Sequence, residues 1–216
     1  MKKIAISGSA PVTLADVSST GSFDWNANDT IVYGTAGGII RVSANGGTPD
    51  KIIKTAKGES YFIHPQILPD GKSVLFTRIY PSPAKIMVQS FKSGEPKELI
   101  QGNAGKYLLT GQIVYEEGGN LFAVPFDLKA LRVAGGPVPV VEGVLRTSGA
   151  PQYAVSDSGT LVYVPGAASS GTVGRTLVWV DRKGKEVPIA VARNNYSSPS
   201  ISPDKRAGFR LHRGLK

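Results

Sequence analysis

The chain of 216 residues contains no cysteine, which excludes a disulfide scaffold and any thiolate metal site. Histidine is almost as scarce. Only His64 and His212 occur, so a histidine-based metal site would need carboxylate partners, and no spacing supplies them. No apolar run approaches the roughly 20 residues needed to span a bilayer. The start, Met1–Leu14, has Lys2 and Lys3 before an apolar stretch, but Ser7, Gly8, Ser9 and Pro11 break it too often for a secretory signal. Long stretches of 3.6-residue periodicity are also missing, which excludes helical repeats.

Motifs of catalysis are absent too. There is no G-x-S-x-G elbow for a serine nucleophile, no glycine-rich kinase loop, no His-Arg-Asp and no Asp-Phe-Gly. No catalytic, cofactor-binding or metal-binding residue is therefore nominated, and no cofactor is expected. Acidic residues are outnumbered, 16 against 25 Lys and Arg, for a net charge of +9. The imbalance is local: Arg175–Lys216 holds ten basic and three acidic residues, a net of +7, and the preceding 174 residues carry only +2. Its charges are interleaved with strand residues such as Leu177, Trp179 and Ile189 and lack a stacking platform. No nucleic acid partner is expected.

What is abundant is turn chemistry between short apolar runs. Glycine (26) and proline (15) exceed average use while 41% of residues stay hydrophobic, so the composition suits many short turns rather than disorder. The segment Pro151–Ile189 shows the plan: four β-branched and aromatic runs, Gln152–Val155, Thr160–Val164, Thr176–Val180 and Glu186–Val191. Ser156-Asp157-Ser158-Gly159 separates the first two runs and Asp181-Arg182-Lys183-Gly184-Lys185 the last two.

The plan repeats. Trp25–Tyr33 matches Ile67–Phe76, a shortened Leu108–Tyr115 and Val155–Tyr163, and a fifth copy begins at Ser200. Tyr33, Phe76, Tyr115 and Tyr163 close the second strands, at intervals of 43, 39 and 48 residues. Such a period, with four strands in each repeat, predicts an all-β fold, a β-propeller of four-stranded antiparallel blades.

The boundaries that follow are a half-blade at 1–16, blades at 17–56, 57–103, 104–146 and 147–194, and a half-blade at 195–216, in one domain. That makes about five blade equivalents in a closed or incomplete ring, and the two half-blades are complementary enough to pair. The first half-blade takes strands Lys3–Ser7 and Val12–Ala15, and the last takes Pro199–Ser202 and Arg206–Leu211. In the third blade the connection Phe126–Pro137 is long and protrudes. In the fourth, Ala167–Gly174 is a flexible insertion.

Other features have structural readings. Gly102–Lys106 imitates a phosphate loop, but its glycine spacing is wrong and no Ser or Thr follows Lys106, so it reads as a turn between blades. Asp29, Asp70, Asp157 and Asp204 recur at one turn position and read as turn stabilisers. His64 reads as an edge or core histidine, Glu116-Glu117 as a solvated hairpin end, and Trp25 and Trp179 as packing between blades.

The runs HPQILPDGKSVLFT, GQIVYEEGGNLFAVPFDLKALRVAGGPVPVVEGV, APQYAVSDSGTLVYVPG and RTLVWVDRKGKE resemble one family. It is the TolB-like or WD40-like (PD40) propeller region on the C-terminal, sensor side of bacterial serine/threonine protein kinases. The resemblance spans roughly Lys3 to Asp204. Leu68-Pro69-Asp70-Gly71 stands for the family's S-P-D-G turn, and Ser202-Pro203-Asp204-Lys205 departs from it at the glycine. The resemblance implies a non-catalytic propeller that binds a protein or small molecule in an extracytoplasmic or periplasmic setting. The family's phosphotransfer does not carry over, because the kinase motifs are not here. Two alternatives stay open: the propeller of a prolyl-oligopeptidase-like serine hydrolase, and a TolB-like protein-interaction module.

Overall fold

The computed structural model describes residues 1–5, 8, 10–17, 22–55, 60–147, 149–156, 159–166, 177–181 and 183–190. Among these residues there is no helix, and hence none long and apolar enough to cross a membrane. Contacts group the chain into two compact units, Met1–Gly105 and Lys106–Lys216, each described by itself below.

The first unit opens with a two-stranded sheet, β1 (Lys2–Lys3) and β2 (Val12–Thr13), shorter than the expected pair. Strands β3 (Phe23–Trp25), β4 (Thr30–Thr35), β5 (Gly38–Ser43) and β6 (Asp50–Lys54) form an antiparallel meander in chain order. A second meander follows, from β7 (Ser60–Ile67), β8 (Ser73–Tyr80), β9 (Lys85–Ser90) and β10 (Ser93–Gln101). Each is a propeller blade.

Side chains alternate across the first blade as a pleated strand requires. Val32, Ile39 and Ile53 face Phe62, Val74, Phe76 and Met87 of the second blade in one buried cluster. The opposite face buries Ile31, Tyr33 and Val42 against Leu14 and Ala44. Two-sided burial is why β4 and β8 read as near-continuous apolar runs. The blades approach most closely at Gly34, where an added Cβ would collide with the Phe62 carbonyl, so only glycine fits.

The second unit carries a blade built differently. Its first strand, β11 (Asn103–Tyr107), precedes β12 (Gln112–Glu117) and β13 (Asn120–Asp127). The Gly102–Lys106 segment is therefore mostly strand: Gly102 makes the connection, and Gly105 packs on the Ile86 side chain. Strand β13 then receives two partners, β14 (Arg132–Val133) at its far end and β15 (Val138–Val141) beside its beginning. The Phe126–Pro137 connection is thus a short hairpin extending β13. Its turn is held by Asp127, whose Oδ1 accepts the Lys129 and Ala130 N–H groups. Those bonds, Ala130 first, keep the Asp127 carboxyl below its ordinary range against the opposing effect of desolvation.

A small hairpin, β16 (Arg146–Thr147) and β17 (Ala150–Pro151), leads into the last described blade. That blade comprises β18 (Tyr153–Val155), β19 (Leu161–Tyr163), β20 (Val178–Val180) and β21 (Glu186–Pro188), in the expected order and within the expected runs. Its Val155, Leu161, Tyr163, Val178 and Val180 form one core with Leu108, Val114, Leu121, Val141 and Val144. The insertion Ala167–Gly174, the half-blade at 195–216 and its pairing with the first half-blade lie outside the described residues.

Candidate functional site

The repeated turns behave as structural elements, with one reassignment. At 26–30, 68–73, 108–112 and 156–160 the same hydrogen bond closes the loop, for example Leu68 N–H to Ser73 O. Asp70 stabilises its turn as expected, accepting from the Lys72 and Ser73 N–H groups and the Ser73 hydroxyl. Asp29 does not share that position. It occupies the left-handed site held elsewhere by Gly71, Gly111 and Gly159, with φ 54°, and Asn26 Oδ1 receives the turn's N–H groups instead. Aspartate tolerates this backbone region better than most residues. Asp157 and Asp204 lie outside the described residues.

Two further expectations are corrected. Glu116 is not a solvated hairpin end but is fully buried, 0% exposed. Its Oε1 accepts the Gly119 N–H at 2.7 Å and Arg146 Nη1 at 3.0 Å, and Arg146 Nη2 donates to the Gly149 carbonyl at 2.9 Å. The β12–β13 turn, where the backbone needs an acceptor, and the β16–β17 hairpin, which supplies the cation, enclose the carboxylate. The nearby Tyr153 hydroxyl is pushed well up, by burial first and then by the Glu116 charge.

Trp25 is the second correction. It does not pack between blades: it is 48% exposed, donates from Nε1 to Asp29 and lies under the Lys3 ammonium. Phe23, on the same face two residues earlier, is 62% exposed. Trp179 is half-buried in β20.

His64 agrees with its reading. It sits half-buried in β7 with its N–H donated to Ser22 Oγ, and desolvation pulls its pKa down to about 4. Among the described residues no group of three or more His, Asp or Glu side chains could hold a metal ion.

The site that geometry does build lies in the first unit. A recess of about 400 Å³ opens between the end of β4, the start of β7 and the segment after β2. Asp16 and Val17 line one side; Tyr33 to Gly37, with Ile40 of β5, form the floor; Tyr61, Phe62 and Ile63 form the other wall. Thr35 shapes the turn by donating its hydroxyl to Gly38 O while its Oγ1 accepts the Gly37 N–H. Lys51 Nζ stands beside this turn, 3.3 Å from where a Gly37 Cβ would lie.

Two polar groups in the recess lack partners. Tyr33 is only 2% exposed, yet its hydroxyl makes no hydrogen bond among the described residues, and burial alone raises its pKa. The Asp16 carboxylate is exposed and likewise unpaired. The wall itself is strained. Tyr61 (φ 57°) and His64 (φ 50°) are both left-handed, and a bulge interrupts the β7–β8 register between Ile63 and Gln66. Each such non-glycine residue costs about 1–2 kcal/mol. A strained strand beside a recess with unpaired polar groups is where function is sought.

Sequence reasoning nominated none of Asp16, Tyr33 or Tyr61 as functional. Tyr33 was legible as the aromatic closing its strand, but residues 16, 33 and 61 meet only because two blades pack face to face beside the segment after β2. A shallower recess of about 360 Å³ in the second unit is lined by Trp179, Asp181, Lys185 and Val187. There Asp181 is occupied by its own turn, accepting the Lys183 and Lys185 N–H groups.

No family model matches the chain, and no curated protein is similar to it in sequence. Solved structures are similar in fold. TolB from Acinetobacter baumannii superposes with a TM-score of 0.70 at 18% identity, over 94% of this chain and 51% of that one. Regucalcin, a calcium-binding protein from Agrobacterium tumefaciens, gives 0.58 at 13% identity over 86% and 65%. A puromycin-hydrolysing peptidase from Mycobacterium tuberculosis gives 0.53 at 13% identity over 85% and 40%. The chain thus spans about half the length of TolB. The four-stranded meanders and these neighbours establish the architecture of a TolB-like β-propeller.

Proposed function

We propose that this chain is a non-catalytic binding propeller whose ligand site is the Asp16–Tyr33–Tyr61 recess, and that it forms the sensor part of a bacterial receptor-type serine/threonine kinase. The observation that carries the binding role is the recess itself, in which the Tyr33 hydroxyl and the Asp16 carboxylate both lack a hydrogen-bond partner among the described residues. A hydroxyl and a carboxylate unpaired in an open recess are the few convergent polar groups by which a ligand is oriented. Support for a non-catalytic role is that neither Asp16 nor Tyr33 has a base, nucleophile or metal set beside it among the recess residues. The kinase assignment rests on the sequence resemblance.

Ligand-observed NMR with a fragment library tests the binding role. Fragments should bind, bind more weakly to Tyr33→Phe, and stay chemically unchanged. Turnover of a bound fragment, abolished by a point change in this chain, overturns the non-catalytic reading. For the kinase assignment, in-frame kinase motifs upstream in the gene support it, and a downstream G-x-S-x-G hydrolase domain overturns it.

A further inference from the structure

We infer that the recess of the first unit takes a small ligand carrying an ammonium group on an apolar or aromatic body. The inference rests on the binding role proposed above and gives that site its ligand chemistry. Asp16 is an exposed carboxylate with no partner among the described residues, so the ligand group it selects is a donor and is favoured if cationic. The Tyr33 hydroxyl offers a second acceptor at the floor.

The rest of the lining combines apolar and aromatic side chains with Thr35 and the Gly34–Gly37 backbone. Val17, Ile40 and Ile63 can hold a hydrocarbon body, and Tyr61, 57% exposed, can present a ring face to a cation. Lys51 supplies orientation. Its ammonium stands at the Gly37 turn, so a cationic end placed there would be repelled and one placed at Asp16 would not. A ligand with charge at one end and hydrocarbon at the other therefore has a single favourable direction. A purely anionic ligand meets Asp16 unfavourably, and a neutral one leaves the carboxylate's charge uncompensated.

Isothermal titration of the whole chain with three phenylalkyl probes tests this: 2-phenylethylamine, L-phenylalanine and 3-phenylpropionate. The two ammonium-bearing probes should bind at least about tenfold more tightly than the propionate, a discrimination of one decade in Kd. Asp16→Asn, an exposed and conservative change, should weaken the amine by about tenfold or more while the far-UV spectrum and melting temperature hold. Tyr33→Phe should weaken it less.

Equal binding of amine and propionate, an Asp16→Asn variant that binds the amine as well as the parent, or no amine binding up to about 10 mM overturns the inference. The two readings fail differently. Another fragment class that binds the recess and binds more weakly to Tyr33→Phe overturns the ammonium chemistry and keeps the binding role. A recess that takes no fragment of any class removes both.

Discussion

Glu116 shows how much a single residue's role depends on what closes over it. Two adjacent glutamates in a hairpin look solvated, but a fully buried carboxylate with one cation and one backbone N–H is a structural clamp. Removing its cation leaves a buried charge unpaired. We expect Arg146→Met to cost about 2–3 kcal/mol, below the 3–5 of a fully buried pair because Arg146 is 43% exposed. In a Glu116→Gln background the same change should cost under about 1 kcal/mol. Urea midpoints of the four proteins measure both.

His64 makes a pH prediction. Its pKa falls from 6.5 to about 4 on folding, so the unfolded chain takes up a proton that the native state refuses. Stability is fully present above about pH 6.5 and is lost as pH falls towards about 4, by at most about 3 kcal/mol. His64→Asn, which tolerates the left-handed backbone, should flatten that part of the curve relative to the parent. Parallel slopes for the two proteins, in urea titrations from about pH 7 to about pH 4.5, would refute the assignment.

Strand β7 carries two left-handed residues and a bulge within one element, and β-strand patterning did not foreshadow either. Tyr61 is exposed, so Tyr61→Gly loses little burial and gains a residue at ease with φ 57°. Its stability should be unchanged or raised by up to about 1 kcal/mol, whereas the β-branched Tyr61→Val should lose about 1 kcal/mol or more. If both variants melt alike, the strain is not there. The glycine variant should also bind 2-phenylethylamine more weakly, since a ring face is gone. Gain of stability with loss of binding is the expected mark of a strained functional wall.

The turns show a related limit at the element scale. Pattern alone put Asp29 with Asp70, because both are aspartates between two apolar runs. Hydrogen bonding separates them: the first fills a glycine's backbone role and the second an acceptor's.

For the molecule as a whole, the net charge of +9 sits mostly in Arg175–Lys216. Positive charge interleaved in sequence with apolar strand residues should produce weak, sequence-independent attraction to DNA and RNA that fades by about 150 mM salt. Submicromolar affinity at that salt, lost on deleting Lys205–Lys216, would make the basic segment a nucleic-acid site. A fluorescence titration with both polymers across salt decides it.

Local chemistry along the chain was enough to specify the blades. Strand alternation, turn residues and the spacing of Tyr33, Phe76, Tyr115 and Tyr163 are short-range properties, and all four aromatics are buried where the repeat placed them. Strand order followed as well, because turns of a few residues between apolar runs allow little but an antiparallel meander. Tertiary structure alone decided the rest. Glu116 is buried because a hairpin 30 residues later folds over it, and Trp25 stays exposed with only its Asp29 hydrogen bond and the Lys3 ammonium against it among the described residues. The recess exists because Gly34 lets the Phe62 backbone come close, bringing together residues 16, 33 and 61, which no periodicity connects. A repeat encodes what each blade has in common, and a binding site is made of the places where neighbouring blades differ.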